Sequence, residues 1–309
     1  MTTFLCPGQG AQTPGFMHEL PDTPEVAATL AEASRALGHD VLDLDTAEHL
    51  ESTVAVQLTA LVAGVAMSRA LITRDVRPDS VAGLSVGSFT AAVIAGALDF
   101  TDAVPLVRLR ASLMEQAYPT GYGMAAFGGF NQRRLAQLAE AQATAEEPLY
   151  LANFNAPTEI VVTGAVAALE RLVTSAQEAG ARRAQRLAVS VPSHCPLLAD
   201  VSTKLAAALE SIPIQAPRLT YVGNRRARIL RDAAAVVEEL ATNVCNPVLW
   251  HDSTTLLFEL GERFFIEMPP GTTLTGLAGD AFPDADARCS SRTPLDTLVY
   301  LAARAAREG

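Results

Sequence analysis

The chain has 309 residues, 49% of them apolar and 18% charged, with four cysteines and a formal net charge of −11. That balance excludes a disordered chain and a highly charged coiled coil, and the scattered cysteines exclude a disulfide scaffold or a zinc knuckle. The acidity argues against a general nucleic-acid binder, and among 23 basic residues Lys204 is the single lysine.

In chain order, 3–6 reads as a short apolar strand that stops at the breaker cluster Pro7-Gly8-Gln9-Gly10. Residues 25–37 and 54–72 carry helical patterns, the second apolar enough to be buried. Residues 81–83 read as a strand entering a turn at Ser85, with a helix over 86–97. The run 80–98 has 19 uncharged positions. Its length suits a membrane span, but Gly83, Gly87, Gly96 and four hydroxyl side chains interrupt it, so a buried strand-turn-helix is expected. Residues 102–117 form the next helix. The N-terminus has neither a basic stretch nor a long apolar run, so no secretory signal, no membrane and a cytoplasmic location are expected.

The rhythm changes between 123 and 190. Strand 124–129, helix 132–143, strands 149–155 and 159–164, helix 166–179 and strand 183–190 make the order βαββαβ, that of a ferredoxin-like unit. It reads as a small domain, 123–190, inserted into a larger α/β domain made of 1–122 and 191–309. Helix 197–210, strand 219–222, helices 232–242 and 250–260, and strand 264–268 complete the large domain.

Gly83-Leu84-Ser85-Val86-Gly87 is a G-x-S-x-G between a strand and a helix. The glycines permit a sharp turn that exposes the serine hydroxyl, and the helix N-terminus offers N–H groups to a developing oxyanion. The bare pattern also fits a tight turn with an incidental serine. A serine nucleophile needs a base. Of the five histidines, His194 lies in Val191-Pro192-Ser193-His194-Cys195-Pro196, a proline-stiffened loop at the return to the large domain. His39 and His49 lie in polar segments, His18 follows a loop and His251 starts a helix. Gln9, between glycines, is either a second oxyanion donor through its backbone N–H or part of a plain strand-end turn. Arg110 sits on the apolar face of its helix. It either clamps a carboxylate with its planar fork, makes a structural ion pair, or snorkels to solvent.

Together these residues resemble the malonyl-CoA:acyl-carrier-protein transacylase family over nearly the whole chain. The resemblance rests on PGQGAQ at 7–12, GLSVG at 83–87, LVRLRASLMEQA at 106–117 and NFNAP at 153–157. It continues through VSVPSHCPLL at 189–198, NPVLW at 246–250 and PPGTTLTGL at 269–277. GAQTPGFMHELPD at 10–22, GLSVG in place of the usual GHSxG, and LMEQAYPTGYGM at 113–124 are similar to the malonate decarboxylase epsilon subunit in particular. The resemblance implies an α/β fold, with an α/β-hydrolase-like large domain on a parallel sheet and an inserted ferredoxin-like domain. It implies malonyl transfer from malonyl-CoA to the phosphopantetheine-type thiol of a partner. That partner is the malonate decarboxylase carrier subunit or, alternatively, an acyl carrier protein of fatty-acid or polyketide synthesis. No permanent cofactor and no metal are implied.

Carried over residue by residue, Ser85 is the nucleophile and His194 the base. The N–H groups of Gln9 and Val86 form the oxyanion hole, Arg110 holds the malonate carboxylate, and Asn153 and Asn155 contact substrate. Two departures stand out: Leu84 replaces a histidine beside the nucleophile, and Leu249 replaces a glutamine that helps orient the base. A backbone carbonyl near 246–249 is then expected to hold His194, giving a Ser–His dyad without an acid. An acidic carrier needs a basic landing site, and Arg225, Arg226, Arg228 and Arg231, or Arg182, Arg183 and Arg186, are the candidates. More distant readings are a serine thioesterase or hydrolase, which leaves Arg110 unused, and a scaffold subunit, which needs neither Ser85 nor His194.

Overall fold

The computed structural model describes residues 1–308. The chain begins with β1 (Thr2–Cys6), α1 (Pro24–Leu37), α2 (Thr53–Thr73), β2 (Ser80–Gly83), α3 (Gly87–Ile94) and α4 (Phe100–Ala117). There follow β3 (Tyr122–Gly128), α5 (Gln132–Gln142), β4 (Leu149–Ala156), β5 (Glu159–Ala165), α6 (Val166–Glu178) and β6 (Arg183–Arg186). The last third holds α7 (Ala199–Leu209), β7 (Thr220–Val222), α8 (Ala233–Thr242), α9 (Trp250–Glu259), β8 (Phe264–Glu267), α10 (Thr273–Ala281), β9 (Asp286–Cys289) and α11 (Leu295–Glu308).

The strands form two separate sheets. One is parallel, in the order β7-β2-β1-β8-β9. Alternate side chains of its strands enter two cores: Phe4, Val81 and Phe264 face one layer, and Leu5, Ala82 and Phe265 the other. This period-2 division explains why β1, β2 and β8 read as continuous apolar runs, because both faces are covered. The second sheet is antiparallel, in the order β6-β3-β5-β4, that of a ferredoxin-like unit. Ala125, Phe127, Ile160 and Val162 of this sheet pack on Leu135 of α5 and on Leu169 and Leu172 of α6. Its other face, with Met124, Ala126 and Val161, turns toward the carboxyl ends of the parallel strands. Val248 ties the two parts together: its carbonyl accepts from Phe154 N–H and its own N–H donates to the Ala152 carbonyl, each at 2.8 Å.

Helix ends follow local chemistry. Thr23 caps α1 through its hydroxyl with Pro24 in the first turn, and Gly38 closes the helix at φ 79°. α2 is the helix long and apolar enough by composition to cross a membrane, yet 83% of its most apolar stretch is buried inside the molecule, against α1, α3 and α4. Two expected elements end early. The helix after β2 stops at Ile94, before Gly96 at φ 68°. The strand expected over 183–190 ends at Arg186, from which the chain turns across the cavity toward His194. α10, β9 and α11 lie outside the sequence-predicted elements.

Close backbone approach explains two glycines of the turn after β2. A Cβ at Gly87 would stand 2.1 Å from the Cys6 carbonyl oxygen, and one at Gly83 would stand 2.0 Å from that of Gly87. Both neighbours are backbone and cannot move aside. Gly87→Ala is therefore expected to destabilise the fold by about 3 kcal/mol or more. Thermal unfolding checks this; a melting temperature within a degree of wild type would show that α3 can stand further from β1.

Candidate active site

The turn after β2 holds Ser85 in the left-handed region at φ 57°, unusual for a residue with a side chain. The strained turn lifts the hydroxyl out of the sheet end while the residue stays 8% exposed. Its backbone N–H donates to Asn224 Oδ1 at 2.8 Å, from the loop after the neighbouring strand β7. His194 also has a left-handed backbone, at φ 64°, and its N–H donates to the Val244 carbonyl at 2.8 Å. The ring stands with Nε2 2.8 Å from Ser85 Oγ.

Nδ1 faces two carbonyl oxygens, of Asn243 at 2.8 Å and of Asn246 at 3.3 Å. Carbonyls only accept, so Nδ1 carries the proton and Nε2 presents its lone pair to the serine O–H. Among the described residues no carboxylate hydrogen-bonds the imidazole. The expected carbonyl in 246–249 is Asn246, but the shorter contact comes from Asn243, one turn earlier. Burial, and then the nearby Arg110 charge, push the His194 pKa down to about 4, against the ordinary 6.5. The ring is neutral at pH 7, the form a general base requires.

Arg110, on α4, is fully buried. Nη1 donates to Gln57 Oε1 at 2.6 Å and Nη2 to Ser85 Oγ at 3.3 Å, while Nε has no acceptor. The guanidinium lies 5.9 Å from the centre of the Phe89 ring. Desolvation pushes its pKa down to about 9, so it stays charged at neutral pH. Among the described residues no acid pairs with it, which sets aside a structural ion pair, and its full burial sets aside snorkelling. The Nη1 side is committed to Gln57, and the Nε–Nη2 edge faces the serine.

Gln57 was not foreseen from sequence. It is a fully buried amide on α2 whose Nε2 donates to Gln9 Oε1 at 3.1 Å and to Met114 Sδ at 3.5 Å. It links the arginine to the Pro7–Gly10 loop. The available signal was the one amide side chain in a mostly apolar helix. Among the described residues, the backbone N–H groups of Gln9 and Val86 have no acceptor, so neither is spent within the protein.

Ser85, His194, Gln9, Asn153 and Asn155 line a cavity of about 280 Å³ between the two sheets. The Oδ1 atoms of Asn153 and Asn155 are buried there without a partner. Arg183 also lines this cavity and is exposed. The other docking candidates divide. Arg225 and Arg226 both pair with Glu238, at 2.5 and 3.2 Å, and Arg186 pairs with Glu170 at 3.4 Å. The 225–231 group is thus partly neutralised rather than a continuous basic patch; Arg228, Arg231 and Arg182 are exposed.

The acyl transferase domain family model matches residues 3–293. A Haemophilus influenzae protein named malonyl CoA-acyl carrier protein transacylase is 37% identical over 281 residues, covering 89% of this chain and 90% of that one. The crystal structure of an acyl-carrier-protein S-malonyltransferase from Burkholderia pseudomallei superposes with a TM-score of 0.91 at 35% identity, covering 97% of this chain and 99% of that one. A malonyl-transacylase solved in complex with its type II PKS acyl-carrier protein gives a TM-score of 0.91 at 34% identity, covering 98% and 99%.

Modification of Ser85 by a neutral fluorophosphonate is expected to hold a constant rate from neutrality down to about pH 5 and to fall below about pH 4, as His194 protonates. In Arg110→Met the lost positive charge no longer opposes protonation, so the acid limb moves up toward 6.5 without reaching it, because burial remains. An unmoved limb would mean that the arginine charge does not reach the ring.

Proposed function

The chain belongs to the acyl transferase domain family, and within it we propose that it moves a malonyl group from coenzyme A to the phosphopantetheine thiol of an acyl carrier protein, through an ester on Ser85. The observation that carries this reading is Arg110: a buried guanidinium with no acidic partner, its Nη2 3.3 Å from the nucleophilic oxygen. In a malonyl thioester one methylene separates the carbonyl from the carboxylate, so the two carbons lie about 2.5 Å apart on ordinary C–C geometry. A carboxylate on the Nε–Nη2 edge of Arg110 then leaves the thioester carbon beside Ser85. A longer diacid would push its carbonyl past the serine. An acetyl group would leave the buried charge without its anion.

The reaction runs in two halves. Ser85 Oγ attacks the thioester carbon as its proton passes to His194 Nε2. The tetrahedral oxyanion is held by the N–H groups of Gln9 and Val86. Collapse breaks the C–S bond, and the leaving thiolate takes the proton from Nε2. The carrier thiol enters by the same path, gives its proton to Nε2 and attacks the ester carbon, and Ser85 recovers its proton on release. Asn153 and Asn155 offer two carbonyl acceptors to the amide N–H groups of a pantetheine arm lying in the cavity. The apolar ceiling of Met124, Ala126 and Val161 limits water, which would otherwise hydrolyse the ester.

The names of the relatives support an acyl carrier protein as acceptor. The segments at 10–22, 83–87 and 113–124 favour a second reading, the carrier subunit of malonate decarboxylase. Transfer assays with both carriers side by side separate them, and the acceptor with the larger kcat/KM is the physiological class.

Mixing the protein with malonyl-CoA is expected to add one malonyl mass, absent in Ser85→Ala. Hydrolysis without an adduct would move the reading to a thioesterase, and no change at all would move it to a scaffold. Arg110→Ala is expected to lower malonyl transfer, relative to acetyl transfer, by on the order of 30-fold to 10³-fold, equivalent to about 2–4 kcal/mol for an unpaired buried charge. Equal losses for both acyl groups would remove Arg110 from substrate recognition.

A further inference from the structure

We propose that Glu239, which touches neither substrate nor reacting atoms, is a positioning residue that keeps the nucleophile and the base in register, through Asn224 on one side and Asn243 on the other. The proposal rests on the reading of Ser85 and His194 given above. His194 has no acid on Nδ1. Its ring is held by carbonyls of the short turn 243–246. A loop carbonyl fixes a ring only as firmly as the loop itself is fixed. Ser85 poses the same problem, because its left-handed backbone must be held against relaxation.

One carboxylate oxygen answers both. Glu239 Oε1 accepts the backbone N–H of Asn224 at 2.7 Å and the side-chain Nδ2 of Asn243 at 3.2 Å. Asn224 then takes the Ser85 N–H on its Oδ1 and gives its own Nδ2 to the Gly83 carbonyl, gripping the turn on both sides of Leu84. Asn243 gives Nδ2 to Asn224 Oδ1 at 3.0 Å and to Ser88 Oγ at 3.2 Å, and offers its backbone carbonyl to His194. The orientation of the Asn243 amide is fixed by its surroundings: a carboxylate, an amide oxygen and a hydroxyl all accept.

Glu239 is 4% exposed, on the last turn of α8, four residues before Asn243. Its Oε2 accepts from the Arg225 N–H at 3.4 Å, and the Arg225 guanidinium itself lies on Glu238. A carboxylate so buried is costly unless N–H groups surround it, and among the described residues each hydrogen-bond partner of this one is an N–H donor. Packing alone would favour an apolar residue here. The network therefore supplies, at one remove, the orientation that a directly bonded acid gives the base in a three-membered site.

The test compares Glu239→Ala, Glu239→Gln, Asn243→Ala and the Glu239→Ala/Asn243→Ala double variant. Three readouts are used: the rate constant of Ser85 modification by a fluorophosphonate, kcat and KM for malonyl transfer, and the downfield proton NMR signal of His194 Nδ1–H. Glu239→Ala is expected to lower the modification rate and kcat by about 10- to 100-fold, to leave KM for malonyl-CoA within about twofold, and to shift or broaden the signal. Glu239→Gln recovers most of the loss, because its Oε1 still accepts both N–H groups. Asn243→Ala matches Glu239→Ala, and the double variant loses no more than either alone. A folded Glu239→Ala with wild-type rates and an unmoved signal overturns the proposal, as do additive losses. Should Glu239→Ala fail to fold, Asn243→Ala decides alone by the same rate and signal. The fluorophosphonate needs no acyl donor. A wild-type protein that it modifies but that takes no malonyl therefore fails the malonyl reading, while the rates still judge Glu239.

Discussion

A guanidinium buried without a carboxylate of its own is the constraint around which the site is arranged. Arg110 is fully enclosed, and among the described residues its guanidinium meets one amide oxygen, one hydroxyl and one aromatic face. Burial pushes its pKa down to about 9, which still leaves the group charged at neutral pH. The same charge is the second cause, after burial, that keeps His194 neutral. On the proposed reading, one residue thus selects the acyl group and keeps the base unprotonated. Gln57 joins it to the Gln9 loop, so the proposed carboxylate grip and one side of the proposed oxyanion hole share a hydrogen-bonded chain.

The two sheets divide the remaining work. The parallel sheet brings the Gln9 loop, the Ser85 turn and the Asn224 loop to one edge, because β1, β2 and β7 are neighbours pointing the same way. Helix N-termini and free N–H groups gather at that edge in parallel α/β sheets, which is where an oxyanion is best stabilised. The antiparallel sheet contributes an apolar face and two asparagine acceptors. Its attachment through Val248 closes the cavity from the opposite side.

Local features were legible in the sequence and long-range polar partners were not. The serine turn announced itself because its glycines are a steric necessity, and His194 because prolines flank it. Most strands of the two sheets followed from hydrophobic period and turn residues. The parallel order of the large sheet is a tertiary fact. Residues 272–281 carry Gly276 and Gly279, poor helix formers, and α10 forms there because Glu267 accepts the N–H groups of Leu274 and Thr275 in its first turn. Asn224, Asn243 and Glu239 gave no local signal, and Gln57 only that of a lone amide in its helix, because each acquires meaning from a partner elsewhere: Ser85 and Asn224 are 139 positions apart. The ion pairs of the arginines at 225 and 226 were hidden for the same reason. A charge run is visible in sequence, but the glutamate on α8 that answers it is visible only once α8 packs behind the loop.

At one position the preference for arginine over lysine has a physical reason. Arg110 uses its fork in two directions at once. Nη1 anchors the side chain to Gln57 and so fixes the plane of the group. The Nε–Nη2 edge, set by that plane, faces the serine. An ammonium has no second edge: anchored to Gln57, its remaining N–H groups would rotate about the Cε–Nζ bond, and no planar pair would be left for a carboxylate. At exposed positions such as Arg228 or Arg231 the fork has no such constraint, and a point charge would serve there as well. The requirement for arginine is therefore set by burial and by the fixed partner on Nη1, both properties of the fold around residue 110 rather than of the composition.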